Sequence, residues 1–133
     1  MGLIVISTVL LSANYCTDKE NCHNTIVLKN NSDNAIYFER SYTYPDTILR
    51  DAGLVKDPNN YKIEKYSENT SDTRGCYEYI MQNDYPIIML FIYDAQTLET
   101  TPWDTVAKNY LVLKRYDLSL TDLQRMNWTI TYP

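Results

Sequence analysis

Hydrophobic and polar residues alternate with a period of two along much of the chain. The alternation runs over residues 25–29, stops in the polar segment 30–34 and resumes over residues 35–39. Because successive side chains of a strand point to opposite faces of a sheet, this pattern predicts two strands joined by a turn. Residues 110–116 and 128–132 are predicted as further strands.

The most continuously apolar segment beyond residue 24 lies at residues 87–93. An unbroken apolar run suits a strand that is covered on both faces, so this segment is predicted to be the central strand of the core. Residues 76–80 form another ordered segment. Residues 45–73 are polar and predict long exposed loops around one short strand at 61–66.

Two short helical segments are predicted near the C-terminus. Thr101 as N-cap, Pro102 at the first helical position and Asp104 in the first turn favour a helix over residues 102–108. Residues 119–126 predict a capped helical turn. Many short strands, few helical residues and 13 tyrosines favour an immunoglobulin-like β-sandwich with one or two short helices, with a small open β-barrel as the alternative.

An uncharged apolar segment at residues 3–11 precedes Cys16 and a polar stretch. Its length suits the apolar core of a signal peptide and falls short of the about 20 residues that cross a bilayer as a helix. We therefore expect Cys16 to be a lipid attachment site. The expected division of the chain is a lipoprotein-type signal peptide at residues 1–15, a tether at 16–23 and a single β-rich domain at 24–133.

Other interpretations of this N-terminal segment stay open. Its β-branched residues also suit a buried strand. No Lys or Arg precedes the apolar segment, which favours a true start further upstream, and Tyr15 stands where lipoprotein signals place a small residue. Cleavage after Ala13 by an ordinary signal peptidase is a competing alternative.

Charge and cysteine content restrict the partners and the compartment. All charged residues lie at or beyond Asp18, so the expected mature domain keeps the formal net charge of -5. Nucleic acid is excluded as a partner, because phosphate binding needs clustered Lys and Arg. The three cysteines divide into the lipidated Cys16 and a disulfide between Cys22 and Cys76, with two buried thiols as the alternative for that pair.

Several segments of the chain resemble a known group of proteins. They are residues 30–33 with 36–37, residues 44–47, residues 101–105, and the tail formed by residues 113–118 and 128–133. Over most of the mature chain they are similar to the short, uncharacterised lipoproteins of Bacteroides-type bacteria. The resemblance implies a protein anchored by lipid to the outer membrane, on its periplasmic or surface side, and implies no activity. It also implies one cysteine near the first strand and another in mid-chain, which Cys22 and Cys76 match.

Thr47 and Thr105 stand in Asp-Thr-apolar triplets. These resemble the acceptor pattern for O-glycosylation in such bacteria. A turn after Pro45 and a helix start at Asp104 are the alternative explanations for the same residues.

The sequence offers little for catalysis or metal binding. His23 is the only histidine, and no serine nucleophile elbow or glycine-rich phosphate loop accompanies it. A catalytic pair of Cys22 and His23 is disfavoured, because adjacent residues of a strand point to opposite faces. Asp94, Glu99 and Asp104 flank a loop but match no calcium-binding spacing. We expect no enzyme activity, no metal and no cofactor.

Aromatic residues in or beside loops are the best candidates for ligand binding. Trp103, Tyr42 and Tyr44 present flat faces that suit a glycan or a protein partner, and packing within the fold is the alternative. The expected function is a lipid-anchored binding or interaction module of the cell envelope. The alternatives are a structural accessory subunit of an envelope assembly and a carboxylate-based hydrolase, which needs two acidic side chains about 5 to 10 Å apart in a cleft.

Overall fold

A computed structural model describes residues 21–133 of the chain. The expected signal peptide, Cys16 and most of the tether lie outside these residues. Within the described part, seven strands form two sheets of three and four strands, so the predicted mainly β sandwich is confirmed. Five short α-helices accompany these sheets, where one or two were expected.

The elements follow one another as a mixture of strands and short helices. The strands are β1 (Thr25–Asn30), β2 (Ile36–Ser41), β3 (Lys62–Ile63), β4 (Glu68–Asp72), β5 (Ile87–Asp94), β6 (Lys114–Ser119) and β7 (Thr129–Tyr132). The helices are α1 (Pro58–Tyr61), α2 (Tyr77–Asn83), α3 (Ala95–Thr100), α4 (Trp103–Lys108) and α5 (Leu120–Arg125). The three-stranded sheet has the order β4-β1-β7, and the four-stranded sheet has the order β3-β2-β5-β6. The β1–β7 pair is parallel, and the other pairs are antiparallel.

The space between the two sheets is filled by the inner core. The three-stranded sheet contributes alternate buried residues of β1 and β7, as the period-two pattern predicts. Helices α2 and α5 add Tyr77, Met81 and Leu123, which pack with Trp128. The sheet residues of this core are Ile26, Leu28, Ile36, Phe38, Ile63, Ile88, Leu90, Ile92, Leu118 and Ile130.

The other face of the four-stranded sheet is buried as well. Tyr37, Met89, Phe91 and Tyr93 of this face pack against residues from 49–54 and 95–112, which together we call the cover layer. Strand β5 therefore has six consecutive buried residues, Ile88 to Tyr93. Coverage on both faces explains why its sequence is apolar throughout, and the predicted central strand is confirmed.

The prediction of loops over residues 45–73 is wrong at β4. This strand reads Glu-Asn-Thr-Ser-Asp, and Ser71 is its one buried residue. It lies at the edge of the three-stranded sheet, where it pairs antiparallel with β1. Main-chain hydrogen bonds hold an edge strand whatever its side chains are, so hydrophobic periodicity does not reveal it. The strand expected at 61–66 is shortened to β3.

The observed ends of α4, α5 and β6 match the predicted ends to different degrees. Helix α5 has the expected cap, since the Ser119 and Asp122 side chains each accept the other's backbone N–H. Helix α4 begins one residue later than predicted, with Pro102 as N-cap. Strand β6 begins only at Lys114, because Tyr110 adopts a left-handed φ of 49° that interrupts an extended strand.

A disulfide joins Cys22 to Cys76, as predicted, with the Cα atoms 5.0 Å apart. Cys22 lies three positions before β1, and Cys76 is the N-cap of α2. The disulfide therefore joins the chain before β1 to the start of α2. Folded contacts thus begin within the segment expected to be a tether.

Replacement of both cysteines by serine is expected to lower the free energy of unfolding by about 4 kcal/mol. The bridge spans 54 residues, and closing a loop of that length removes chain entropy from the unfolded state. Urea unfolding of wild type and of the Cys22→Ser/Cys76→Ser variant measures the difference. Wild type in reducing buffer serves as the control and should match the variant, and equal stabilities of oxidised wild type and variant would contradict the expectation.

Candidate functional site

Trp103 lines a pocket of about 180 Å³ in the cover layer. One wall comes from residues 51–56 and the other from the junction of α3 and α4. Leu54 and Leu98 are buried and give the pocket an apolar base. Asp51, Lys56 and Thr101 add polar groups to its lining. The arrangement is an apolar cavity with a few polar groups, which is typical of a ligand site.

The indole of Trp103 is held in place from one side. Its ring meets the ring of Tyr93 edge-on, with centroids 6.0 Å apart and planes at 63°. Trp103 packs against the core of the cover layer and still keeps part of its surface accessible. The two alternatives from the sequence, packing and ligand contact, are therefore both compatible with its position.

The opposite wall depends on a tight turn at Gly53. This residue has a φ of 66°, a left-handed conformation in which a side chain is strained. The turn is closed by the Gly53 N–H, which donates to Asp51 Oδ1 at 2.9 Å. Leu54 follows directly and begins a single 3₁₀ turn. The glycine thus allows the chain to present Asp51 and Leu54 to the same cavity.

A more polar cleft of about 290 Å³ runs along the edge of β2. Its polar lining includes Glu39, Asn60 and Thr70. Tyr93 connects this cleft to the Trp103 pocket, because its ring touches Trp103 and its hydroxyl donates to Glu39 Oε2 at 3.0 Å. We call it the Glu39 cleft.

Burial shapes the electrostatics of this link. Desolvation raises the pKa of Glu39, and the negative charge of Asp51 adds to that shift, while the hydrogen bond from Tyr93 acts in the opposite direction. Desolvation also raises the pKa of Tyr93, with further contributions from the charge and hydrogen bond of Glu39. A partly buried carboxyl with a raised pKa beside a cleft is a frequent feature of functional sites.

Arg40 lines the same cleft, but its guanidinium is already engaged in contacts that stabilise the fold. Its Nη1 donates to Ser71 Oγ and to the Asp72 carbonyl, each at 3.0 Å, and contacts the Tyr77 hydroxyl. Its guanidinium also lies over the ring of Tyr42 at 5.1 Å. These bonds join β2 to β4 across the sandwich.

Tyr42 and Tyr44 are not brought together with Trp103. Tyr42 packs against the inner core and its ring lies 4.8 Å from that of Tyr85, whereas Trp103 packs on the opposite face of the four-stranded sheet. Tyr44 is 47% exposed in the following loop. The three aromatic residues named from the sequence therefore do not form one site.

The two residues of the glycosylation pattern lie in different surroundings. Thr105 is exposed on α4, one residue after Asp104 in its first turn. Thr47 is partly buried in the loop after β2. Modification of either residue stays a prediction.

His23 has a partner that the sequence analysis missed. Its Nδ1 is hydrogen-bonded to Glu78 Oε1, and its backbone N–H donates to Glu78 Oε2 at 2.8 Å. Its ring stacks on Trp128 with centroids 4.2 Å apart. Burial opposes ionisation of Glu78, but the hydrogen bonds from His23 outweigh burial and lower its pKa. His23 follows Cys22 and Glu78 lies two residues after Cys76, so the predicted disulfide was the available signal for this contact.

The acidic residues around the α3–α4 loop act separately. Asp94 caps α3 by accepting the Thr97 N–H at 2.8 Å. Glu99 accepts from Lys62 Nζ at 2.8 Å and from the Tyr37 hydroxyl at 3.0 Å. Over residues 21–133, no group of three or more His, Cys, Asp or Glu side chains is arranged to hold a metal ion. No helix in the described part is both long and apolar enough to cross a membrane.

No protein-family model, curated protein or solved structure matches this chain. The geometry of its own residues is therefore what bears on function.

The two perturbed glutamates are expected to change stability with pH in opposite directions. The pKa of Glu39 is higher in the folded state than in the unfolded state. As the pH rises, Glu39 therefore loses its proton first in the unfolded chain, near pH ~4.3. The folded state of wild type loses stability from there until the pH has passed the folded pKa. The folded pKa of Glu78 is lowered, so its contribution is present above about pH 4.3 and is lost as the pH falls through the folded pKa.

Urea unfolding of Glu39→Gln and Glu78→Gln from about pH 3 to pH 7 tests this expectation. Relative to wild type, Glu39→Gln should gain stability as the pH rises, and Glu78→Gln should lose it. Each variant acts as the control for the other, since both replace a glutamate by its neutral isostere. Differences that stay constant with pH, or that share one sign, would contradict the assignment.

Proposed function

We propose that this chain is an exported, lipid-anchored protein of the bacterial cell envelope whose folded domain is a binding module. The apolar segment before Cys16 and the resemblance to small envelope lipoproteins support the location. The Cys22–Cys76 disulfide is consistent with it, because structural disulfides persist in oxidising compartments.

The Trp103 pocket is the observation that carries the binding role. An apolar cavity of about 150 Å³ is known to hold benzene, so a pocket of about 180 Å³ accommodates one six-membered ring. Pockets for drug-sized ligands and cofactors usually measure about 300 to 1,000 Å³. The pocket therefore suits a single ring that projects from a larger ligand, such as one unit of a glycan.

The polar lining favours a sugar ring over a purely apolar one. The accessible indole of Trp103 offers a flat apolar surface, while Asp51, Lys56 and Thr101 offer hydrogen-bonding groups around it. A sugar ring has an apolar face and a periphery of hydroxyls, so both kinds of surface are matched. A benzene-like ring would use the indole and the apolar base but none of these polar groups.

Removal of the indole is expected to weaken glycan binding at least tenfold, since aromatic anchors in pockets carry much of a binding energy. Wild type and Trp103→Ala are compared on a glycan array and then by calorimetry with the saccharide that wild type selects. Tyr79→Ala removes an aromatic side chain that is 67% exposed on α2, and it serves as the matched control.

A spectroscopic measurement separates binding from folding in this comparison. Trp128 is 7% exposed and stacks on His23, so a ligand in the pocket should change the emission of Trp103 alone. Trp103→Phe should abolish that change while preserving the circular dichroism spectrum. Unimpaired saccharide binding by a folded Trp103→Ala protein would exclude the proposed site.

The anchor is tested by metabolic lipid labelling of the native host. The wild-type chain is expected in the membrane fraction with lipid attached, and Cys16→Ser should remove the label without loss of protein. Recovery of an unlabelled chain that starts at Met1 from the cytosol would refute the envelope location.

A further inference from the structure

We infer that the Trp103 pocket and the Glu39 cleft are two subsites of one binding site for a neutral oligosaccharide, with Glu39 as the residue that selects chain length. This inference rests on the proposed binding function and adds the class and the size of the ligand. It follows from the position of the two cavities on either side of one short segment, residues 51–53.

One short segment of the chain borders both cavities. Asp51 and Gly53 line the Trp103 pocket, and Ala52 between them lines the Glu39 cleft. On the sheet below, Tyr93 links the same two cavities through its contact with Trp103 and its hydrogen bond to Glu39. The two cavities therefore lie on either side of this segment, and Asp51 and Ala52 are exposed, so a ligand that extends from the pocket across the segment enters the cleft.

The cleft presents hydrogen-bonding groups that a chain of sugar hydroxyls can use. Glu39 Oε2 accepts from Tyr93, and no hydrogen bond to Glu39 Oε1 occurs within residues 21–133. Since no buried side-chain oxygen in that part of the protein lacks a partner, Oε1 is accessible to solvent, and Glu39 lines the cleft. Asn60 and Thr70 lie along the same cleft and supply donor and acceptor groups.

Charge restricts the kind of saccharide. Glu39, Asp51 and Asp72 carry carboxylates around the two cavities, Lys56 of the pocket and Arg40 of the cleft carry the positive charges, and the whole chain has a net charge of -5. The guanidinium of Arg40 already donates to the Ser71 hydroxyl and to the backbone carbonyl of Asp72. A uronic, sialylated or phosphorylated sugar would meet like charge in the cleft, so neutral units are favoured.

The volumes indicate how long the ligand is. The pocket of about 180 Å³ holds one ring, and the cleft of about 290 Å³ is roughly half as large again. A disaccharide or trisaccharide fills both subsites. A monosaccharide fills the pocket alone and does not reach Glu39.

The test compares saccharides of increasing length on the folded protein. Neutral mono-, di- and trisaccharides, acidic trisaccharides and a peptide library are the probes, with wild type, Glu39→Gln and Trp103→Ala as the proteins. Wild type should bind the neutral trisaccharide at least tenfold more tightly than its terminal monosaccharide. Glu39→Gln should remove most of that gain with a much smaller effect on monosaccharide binding, whereas Trp103→Ala should weaken both.

Two further variants test the inference even if the Glu39→Gln variant does not fold. Asn60→Ala changes the cleft from α1 and should lower trisaccharide affinity without affecting the monosaccharide. Glu64→Gln neutralises an exposed glutamate that lines neither cavity and should behave as wild type.

The possible results separate the inference from the proposed function. Equal affinity for mono- and trisaccharide, with no effect of Glu39→Gln or Asn60→Ala, overturns the two-subsite inference and leaves the Trp103 pocket intact. Preference for acidic saccharides overturns the neutral ligand class. Binding of peptides with no saccharide bound overturns the inference and the glycan-binding role together.

Discussion

The burial of β5 on both faces is the constraint on which the rest of the structure depends. Burying one large apolar side chain contributes about 1.5 to 3 kcal/mol, so the six buried residues from Ile88 to Tyr93 contribute about 9 to 18 kcal/mol. This amount is comparable to the whole stability of a domain. One sheet cannot cover both faces of this strand. The three-stranded sheet covers one face, and the cover layer has to cover the other. The Trp103 pocket lies where the two segments of that layer meet.

The open side of the sandwich is held by polar contacts. Strand β3 pairs with β2 only at Ile36 and Tyr37, so the remaining edge of β2 has no neighbouring strand in its sheet. Arg40 crosses from this edge to β4 and bonds to Ser71 and Asp72. Side-chain hydrogen bonds thus join the edge of β2 to β4, and the two sheets do not close into a barrel. The Glu39 cleft occupies the space that remains between them.

The sequence predicted the parts of this architecture that depend on local patterns. Strands β1, β2 and β7 follow from hydrophobic periodicity, β5 follows from its continuous apolar run, and the cap of α5 follows from its side-chain chemistry. Strand β4 escaped prediction because its residues are polar and it is held mainly by main-chain hydrogen bonds to β1. Trp103 was identified from its residue type, whereas Glu39 was not, because its significance depends on Tyr93, which lies 54 positions away in sequence and beside it in the sheet.

The layered arrangement also sets a direction for the domain. The residues fastened by the Cys22–Cys76 disulfide enter β1 in the first layer, and the Trp103 pocket opens in the third, beyond the four-stranded sheet. Packed sheets are spaced about 10 Å apart, so most of the thickness of the domain separates these two regions. The pocket and the disulfide therefore lie on opposite sides of the four-stranded sheet, and the residues that line the indole cavity take no part in fastening the start of the described chain.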